Sequence, residues 1–339
     1  AYQKAASLYE GGYQEQYGLD SEMTEQAWFD TIRMMQKAGG WENEWPIMSQ
    51  KKLTKQKRKD LKEFNRNGHL VVIEHLGVVP ERDEMNMILT ADTNTRQVVV
   101  SPILTGDAQR QLDQRFWFFA LYADKGISDV LSWGYEGRAL DAIMKFGLEK
   151  REYIGPMWDV ADSLGLIDVL NDGMRITVPY YRVTSTQKNG ASKVTVNGKT
   201  QKLLLSESVA HMAVQQQLLS SSSDLQEAMA RAAFKNLTAA KAASVGGDAA
   251  AVLGFIGKIA ANASSAAETR NWLLLPGQIK VTRMALPAGQ HEVKLTSEVT
   301  AGKTSHHSTS VNIKAGDMAV WKVRSFANET GDKSLQVGL

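Results

Sequence analysis

The chain of 339 residues contains no cysteine. This absence excludes disulfide bonds, thiolate metal sites, cysteine nucleophiles and the attachment of iron–sulfur clusters through cysteine. The sequence also lacks a run of roughly 18 to 20 apolar residues, which a membrane-spanning helix requires. The nearest run, residues 249–261, is interrupted by Lys258. We therefore predict no transmembrane helix.

A large net charge is missing as well. The 39 Lys and Arg residues nearly balance the 37 Asp and Glu residues, and the formal net charge is +2. This balance gives the whole chain no general attraction to nucleic acid, to an anionic membrane or to an acidic ligand, so an electrostatic partner must bind a local patch. Hydrophobic residues make up 43% of the chain, which predicts a folded protein of two or three domains.

Helical periodicity marks residues 1–66. Apolar residues recur at helical spacing around Leu8 and again around Trp28, and the pairs Gly11-Gly12 and Gly39-Gly40 are typical helix stops. Short paired helices with glycine stops are typical of the end of a tetratricopeptide-type array. We predict a first domain that is helical and repeat-like.

Strand patterns dominate residues 67–205, which we predict to be a mixed region with a helical stretch inserted at residues 108–170. Asp92 opens a turn of hairpin type, and Asn197-Gly198 is a strong signal for a two-residue hairpin turn. Apolar runs bounded by turn residues predict strands at residues 69–73, 85–89, 97–100, 174–183 and 192–205.

The last two segments complete an α+β fold. Residues 206–269 are rich in Ala and Ser and predict a helical hairpin, with a break at Gly246-Gly247 and a helix restart capped by Ser223. Residues 270–339 alternate as strands do and predict a small antiparallel β-sandwich. The expected order is thus a tetratricopeptide-like helical part, a mixed middle region, a helical hairpin and a sandwich.

The most charged part of the chain is KKLTKQKRKDLK, residues 51–62. One interpretation is a site for phosphate, lipid head groups or an acidic partner. The alternative is a solvated helix face whose apolar residues, Leu53, Leu61 and Phe64, turn inward. The candidate residues for an anionic partner are Lys51, Lys52, Lys55, Lys57, Arg58 and Lys59.

The most apolar aromatic cluster lies in residues 116–122, FWFFALY. Four contiguous aromatic residues on a helix cover more than one face, so the cluster forms either a buried core or an interface that is partly exposed. Trp272, at the start of the predicted sandwich, is a second candidate interface anchor. The candidate residues for a protein partner are Phe116, Trp117, Phe118, Phe119 and Trp272.

No motif in the sequence specifies a reaction, a cofactor or a metal. His306 and His307 are adjacent, and adjacent strand residues point to opposite faces, which disfavours a shared metal. Glu74 and His75 are the best candidates for an acid–base pair, but no nucleophile accompanies them. We predict no catalytic residues, no metal site, no cofactor and a protein that is not an enzyme.

The segments NGHLVVIEHLGVVP, MRITVPYYR and TRNWLLLPGQIKVTRMALPAG follow one another in this order along the chain. Together they resemble an uncharacterised family of envelope proteins, often lipoproteins, from bacteria with two membranes. The segment TRNWLLLPGQIKVTRMALPAG is the most specific of them, and it is similar to an aromatic, leucine-proline, strand, arginine and leucine-proline-x-glycine signature near the family's C-terminus. The layout around Pro287 also resembles small β-sandwich modules named for a Pro-Glu-Gly-Ala motif. The three segments are residues 67–80, 174–182 and 269–289.

This resemblance implies a location and a style of function, and it carries over no catalytic residue. We expect a periplasmic protein at the outer membrane, a non-enzymatic scaffold or accessory subunit of an assembly such as a secretion-system core or a flagellar ring. Its partners would be other envelope proteins, with peripheral contact to the outer membrane and no nucleic acid. The alternatives are a lipid or envelope-polymer binder that uses the basic run, and a hydrolase that uses Glu74 and His75.

Overall fold

The computed structural model describes residues 2–64, 66–122, 149–182, 190–236, 274–300 and 303–326. The fold is mixed α+β, and the chain forms two compact units that are discontinuous in sequence. The first unit contains residues 1–79, 186–212 and 272–339, and the second contains residues 80–185 and 213–271. This division differs from the four consecutive segments predicted from the sequence, because strands of the first unit pair across large distances in the chain.

The first unit begins with a helical part. Both predicted glycine stops are confirmed: Gly12 has φ 101° within the π-helical turn, and Gly39 ends α3 with φ 72°, a backbone conformation that glycine adopts easily. A tetratricopeptide-like character is not confirmed. The elements are α1 (Tyr2–Leu8), a π-helical turn (Tyr9–Tyr13), α2 (Gln14–Gln16), α3 (Glu22–Ala38), α4 (Glu44–Lys52) and α5 (Lys55–Glu63).

The helical part has its own small core. Trp28, Phe29 and Ile32 on α3 pack with Leu61 on α5 and with Phe64 just after it. The apolar residues that close this core recur on one face of each helix, as expected for short amphipathic helices that gain most of their stability from packing.

The rest of the first unit is a β-sandwich of two sheets. In the order of hydrogen-bonded neighbours, the front sheet is β12-β1-β9-β8 and the back sheet is β11-β10-β6-β7. The strands are β1 (Gly68–Leu76), β6 (Ser192–Val196), β7 (Lys199–Lys202), β8 (Leu204–Glu207), β9 (Gln278–Leu286), β10 (Gly289–Thr300), β11 (Lys303–Ile313) and β12 (Met318–Ser325).

Alternating apolar residues of both sheets form the sandwich core. Leu70 and Val72 on β1 face Val293 and Leu295 on β10 within one buried cluster. The Asn197-Gly198 turn is confirmed, with φ 50° and 77° at its two residues, as a two-residue hairpin of type I′ requires.

The predicted antiparallel sheets in the C-terminal part of the chain are confirmed, but the sandwich differs from the predicted one, residues 270–339, in two respects. It is completed by strands from residues 68–76 and 192–207, and β1 pairs in parallel with β12, so the sandwich is not purely antiparallel. The reason is that β1 is buried on its inner face and takes its neighbours, β9 and β12, from the C-terminal part of the chain.

The second unit is built on the sheet β4-β3-β2-β5. The Asp92 turn is confirmed, because its Oδ1 accepts the backbone N–H of Asn94 at 3.1 Å and of Thr95 at 3.3 Å. The elements are β2 (Arg82–Asp92), β3 (Gln97–Ile103), α6 (Ala108–Tyr122), β4 (Lys150–Tyr153), α7 (Gly155–Ser163), α8 (Leu166–Asn171), β5 (Met174–Tyr181) and, from residue 213 onward, α9 (Val209–Asn236).

Two helical predictions for this region are corrected. The stretch 108–170 is not helical throughout, because β4 lies inside it and pairs with β3. The predicted helix restart at Ser223 is also wrong, since α9 runs through residues 209–236 without a break. The hydroxyls of Ser221 and Ser223 donate to carbonyls three residues earlier in the same helix, each at 2.7 Å, so Ser223 bonds back within the helix and caps no new helix start.

Residues 237–273 lie outside the described residues, and with them lie Gly246-Gly247 and the second half of the predicted helical hairpin. In the part of the chain that the structure describes, no helix is long and apolar enough to cross a membrane.

Candidate anion-binding surface

Helix α5 presents a row of cations to solvent. Thr54 caps its first turn in an extended conformation and accepts the backbone N–H of Lys57 at 3.4 Å, which is ordinary N-cap chemistry. Lys55, Lys59 and Lys62 are exposed and Arg58 is half-buried. These four residues have the spacing i, i+3, i+4 and i+7, so they share one face of the helix. We call them the basic stripe: Lys55, Arg58, Lys59 and Lys62.

The apolar residues of the same basic run are buried on the opposite side from the basic stripe. Leu53, Leu61 and Phe64 are 5%, 5% and 7% exposed, so the alternative interpretation of the run as a helix face with apolar residues inside is confirmed for these three. The two interpretations are therefore compatible, since the inward residues anchor the helix and the basic stripe remains free to meet an anion.

Two of the candidate cations have contacts inside the helical part instead. Lys52 donates to Glu10 and lies 4.9 Å from the ring centroid of Trp28. Lys57 donates to Gln26 Oε1 at 2.8 Å and lies 5.6 Å from the ring of Phe29. We assign these two lysines to the internal packing of the first unit, whereas Lys51, at the end of α4, is exposed.

Exposed apolar residues accompany the cations. Ile47 is 59% exposed and lies one helical turn before Lys51 on α4, so the two side chains share a face. Trp41, in the turn that leads into α4, is 46% exposed. Exposed apolar side chains and lysines on the same element are typical of surfaces that lie on a membrane interface.

A cleft of about 520 Å³ adjoins the basic stripe. It is bounded by the C-terminal end of α3, the start of α4 and the end of α5, and Lys62 belongs to both the stripe and the cleft. The guanidinium of Arg33 lies 4.1 Å from the ring centroid of Phe64, and burial together with the charge of Arg283 lowers the pKa of Arg33. The lining residues are Arg33, Met35, Gln36, Lys37, Glu42, Trp45, Leu61 and Lys62.

The aromatic cluster of α6 belongs to the core of the second unit. Trp117 and Phe118 are 1% and 4% exposed, and the indole N–H of Trp117 donates to the backbone carbonyl of Tyr181 at 2.6 Å. Phe116 packs against the same core, and Phe119 is half-buried. This placement favours the core alternative over a contact surface. The other aromatic candidate, Trp272, lies outside the described residues.

Glu74 and His75 do not form an acid–base pair. They are adjacent on β1, so Glu74 is fully buried in the sandwich while His75 lies half-buried on the opposite face. Glu74 Oε1 accepts a hydrogen bond from the hydroxyl of Ser325 at 2.7 Å, and this hydroxyl lies 3.2 Å from His307 Nε2. Lys280 is opposite Glu74 in the register of β1 and β9. The arrangement is a polar network inside the sandwich, in which Glu74 Oε2 has no hydrogen-bond partner among the described residues.

Lys280 completes this network from β9. It is 4% exposed, donates to the carbonyl of Gly190, and burial lowers its pKa while Glu74 raises it. Neither Lys280 nor Ser325 is predicted from the sequence, and His307 is considered there only as one of two adjacent histidines. Polar residues at inward positions of alternating strands are the signal that identifies such a network.

The two adjacent histidines follow the strand rule as predicted, with His307 buried and His306 exposed. Among the described residues, no group of three or more His, Asp or Glu side chains could hold a metal ion.

Comparisons with known proteins identify no relative of the chain. No family model matches the chain, no curated protein matches it, and no solved structure matches its fold.

Proposed function

We propose that the protein is a non-enzymatic accessory subunit of a bacterial cell-envelope assembly, and that it attaches to an anionic membrane surface through the basic stripe. The observation that carries this proposal is the outward row of Lys55, Arg58, Lys59 and Lys62 on a helix whose other face is anchored in a core. The resemblance of three segments to envelope proteins supports a periplasmic location at the outer membrane.

The composition of the surface favours lipid over an acidic protein. Ile47 is exposed one helical turn before Lys51, and Trp41 is exposed in the turn that leads into α4. Aromatic and aliphatic side chains of this kind insert among lipid head groups while lysines remain at the charged surface. A protein partner that recognised only charge would gain nothing from these two exposed apolar residues.

The expected affinity follows from the number of cations. A Lys or Arg close to an anionic leaflet contributes about 1 kcal/mol, so the four residues of the basic stripe together contribute about 4 kcal/mol, or nearly three decades in affinity. This attraction is screened within a Debye length, so binding weakens as salt is added.

The test measures sedimentation of the full chain with vesicles of phosphatidylcholine, with and without phosphatidylglycerol. We expect binding to the anionic vesicles alone, and a loss of about 100-fold or more when Lys55, Arg58, Lys59 and Lys62 are all changed to Gln. The matched control replaces four exposed sandwich residues by Gln, with the same change in net charge, and should bind as the wild type does. These control residues are Lys193, Lys199, Lys294 and Lys314.

Two results would contradict the proposal. An equal loss of vesicle binding in the control variant would show that only net charge matters. If the wild type did not bind anionic vesicles, an acidic protein would become the expected partner of the basic stripe. For the assembly, tagged wild-type chain purified from gently solubilised envelopes should recover a stable set of envelope subunits. Recovery of the chain alone would remove the accessory-subunit part of the proposal.

A further inference from the structure

The cleft beside the basic stripe can distinguish between ligands of different shape better than the stripe can. It is an open cleft of about 520 Å³, a volume within the range of sites that hold small ligands. Its cations come from two different helices, Arg33 and Lys37 from α3 and Lys62 from α5. These three side chains line one space, whereas the residues of the stripe lie in a row along one helix face.

The cleft carries an excess of positive charge in a chain that is nearly neutral. Arg33, Lys37 and Lys62 face a single carboxylate in the lining, Glu42. Glu42 is already engaged, because its Oε1 accepts the backbone N–H of Gly40 at 3.0 Å. Within the described part of the chain, neither Lys37 nor Lys62 forms an ion pair. The local formal charge of the lining is therefore +2.

Arg33 is held in place before any ligand arrives. Its guanidinium lies over the ring of Phe64 at 4.1 Å, an arrangement that restricts the long side chain. Burial and the nearby charge of Arg283 both act against the cationic form. An anion in the cleft would offset both effects, and a guanidinium offers the bidentate geometry that phosphate oxygens accept.

From this arrangement we infer that the cleft binds the phosphate monoester group of a small molecule or lipid head group, with Arg33, Lys37 and Lys62 as its donors. A phosphate monoester carries a charge of about −1.5 to −2 and three terminal oxygens. This matches the local charge of +2 and the three cationic side chains. A carboxylate offers one charge and two oxygens, and it would leave part of the cleft's charge unpaired.

The inference rests on the proposed function through Lys62, which belongs to both surfaces, but it makes a separate prediction. The probe is glycerol 3-phosphate, with glycerol as the uncharged comparison, and binding to the full chain is measured by calorimetry. We expect glycerol 3-phosphate to bind and glycerol not to bind. Lys37→Gln and Arg33→Lys should each weaken binding by at least about tenfold, because a hydrogen bond to a charged group is worth a decade or more in affinity.

Two features of these variants keep the test clear. Lys37 is exposed in the last turn of α3, so its replacement does not disturb the core. The variant with Lys55, Arg58 and Lys59 changed to Gln removes most of the basic stripe without touching the lining, and it should bind glycerol 3-phosphate as the wild type does. Unchanged binding in both cleft variants, or no binding by the wild type, would overturn the inference.

Vesicles distinguish the two sources of the phosphate. Stronger binding to vesicles with phosphatidic acid than to vesicles of equal charge with phosphatidylglycerol would assign the cleft to a lipid head group. Binding of glycerol 3-phosphate without this preference would assign it to a soluble phosphorylated ligand. If the variant without Lys55, Arg58 and Lys59 still binds anionic vesicles normally while the cleft binds phosphate, the proposed function fails and the phosphate site stands.

Discussion

Replacement of Trp117 by Ala should remove one of the largest buried side chains of the second unit. Trp117 is 1% exposed, and truncation of a buried Trp to Ala costs about 3 to 5 kcal/mol through lost burial and the cavity left behind. The carbonyl of Tyr181 also loses the indole donor that lies at 2.6 Å, which costs about 1 to 3 kcal/mol more if the carbonyl finds no other partner. We therefore expect a loss of at least about 4 kcal/mol.

The assay is urea denaturation followed by far-ultraviolet circular dichroism, since the variant changes tryptophan fluorescence. A protein with two units can unfold in two transitions, and we expect the transition of the second unit to move. Trp41→Ala is the matched control, because Trp41 is 46% exposed and its loss should change stability by no more than about 0.5 kcal/mol. If Trp117→Ala leaves every transition in place, the assignment of this residue to a core is refuted, and the alternative that it contacts a protein partner is favoured instead.

Two further predictions concern the interior and a helix. His69 is 2% exposed and stacks on Phe64 at 3.7 Å, and burial, with the charge of Arg283, lowers its pKa from 6.5 to about 4. Because His69 of the unfolded chain becomes protonated at a higher pH than His69 of the folded chain, the free energy of unfolding should fall by up to about 3 kcal/mol as pH drops from 6.5 towards 4. The variant His69→Phe, measured by denaturation at both ends of that range, should lose this part of the pH dependence. An unchanged pH dependence in the variant would contradict the reasoning. Ser223→Ala should raise the stability of α9 by a few tenths of a kcal/mol in thermal unfolding, since Ala favours a helix interior, whereas a loss of about 1 kcal/mol would indicate the N-cap predicted from the sequence.

Local structure was predictable wherever a short pattern determines it. Asn197-Gly198, the Asp92 turn and the helix end at Gly39 depend on a few adjacent residues, and each is confirmed. The strand HLVVI was equally clear, because it is an apolar run bounded by Gly68 and Gly77, and it is confirmed as part of β1. Ser223 misled the prediction, since a serine can cap a helix or bond within it and the local sequence does not distinguish the two roles.

Pairing and packing could not be predicted in the same way. The apolar run of β1 predicts a strand, yet it contains nothing that selects β9 and β12 as neighbours from the far end of the chain. The basic run was found from composition, but the division of its cations depends on packing, because Lys57 turns towards Phe29 on α3. The cleft was missed, since Arg33 and Lys62 are brought together only when α3 packs against α5.

The position of β1 between β9 and β12 affects how the protein folds during its synthesis on the ribosome. β1 ends at Leu76 and its first neighbour begins at Gln278, so about 200 residues must be synthesised before the strand can enter a sheet. At about 5 to 20 residues per second, this interval lasts roughly 10 to 40 seconds. During that time an apolar strand with both edges unpaired is a target for aggregation, so a nascent chain of this protein should depend on a chaperone until its C-terminal strands emerge.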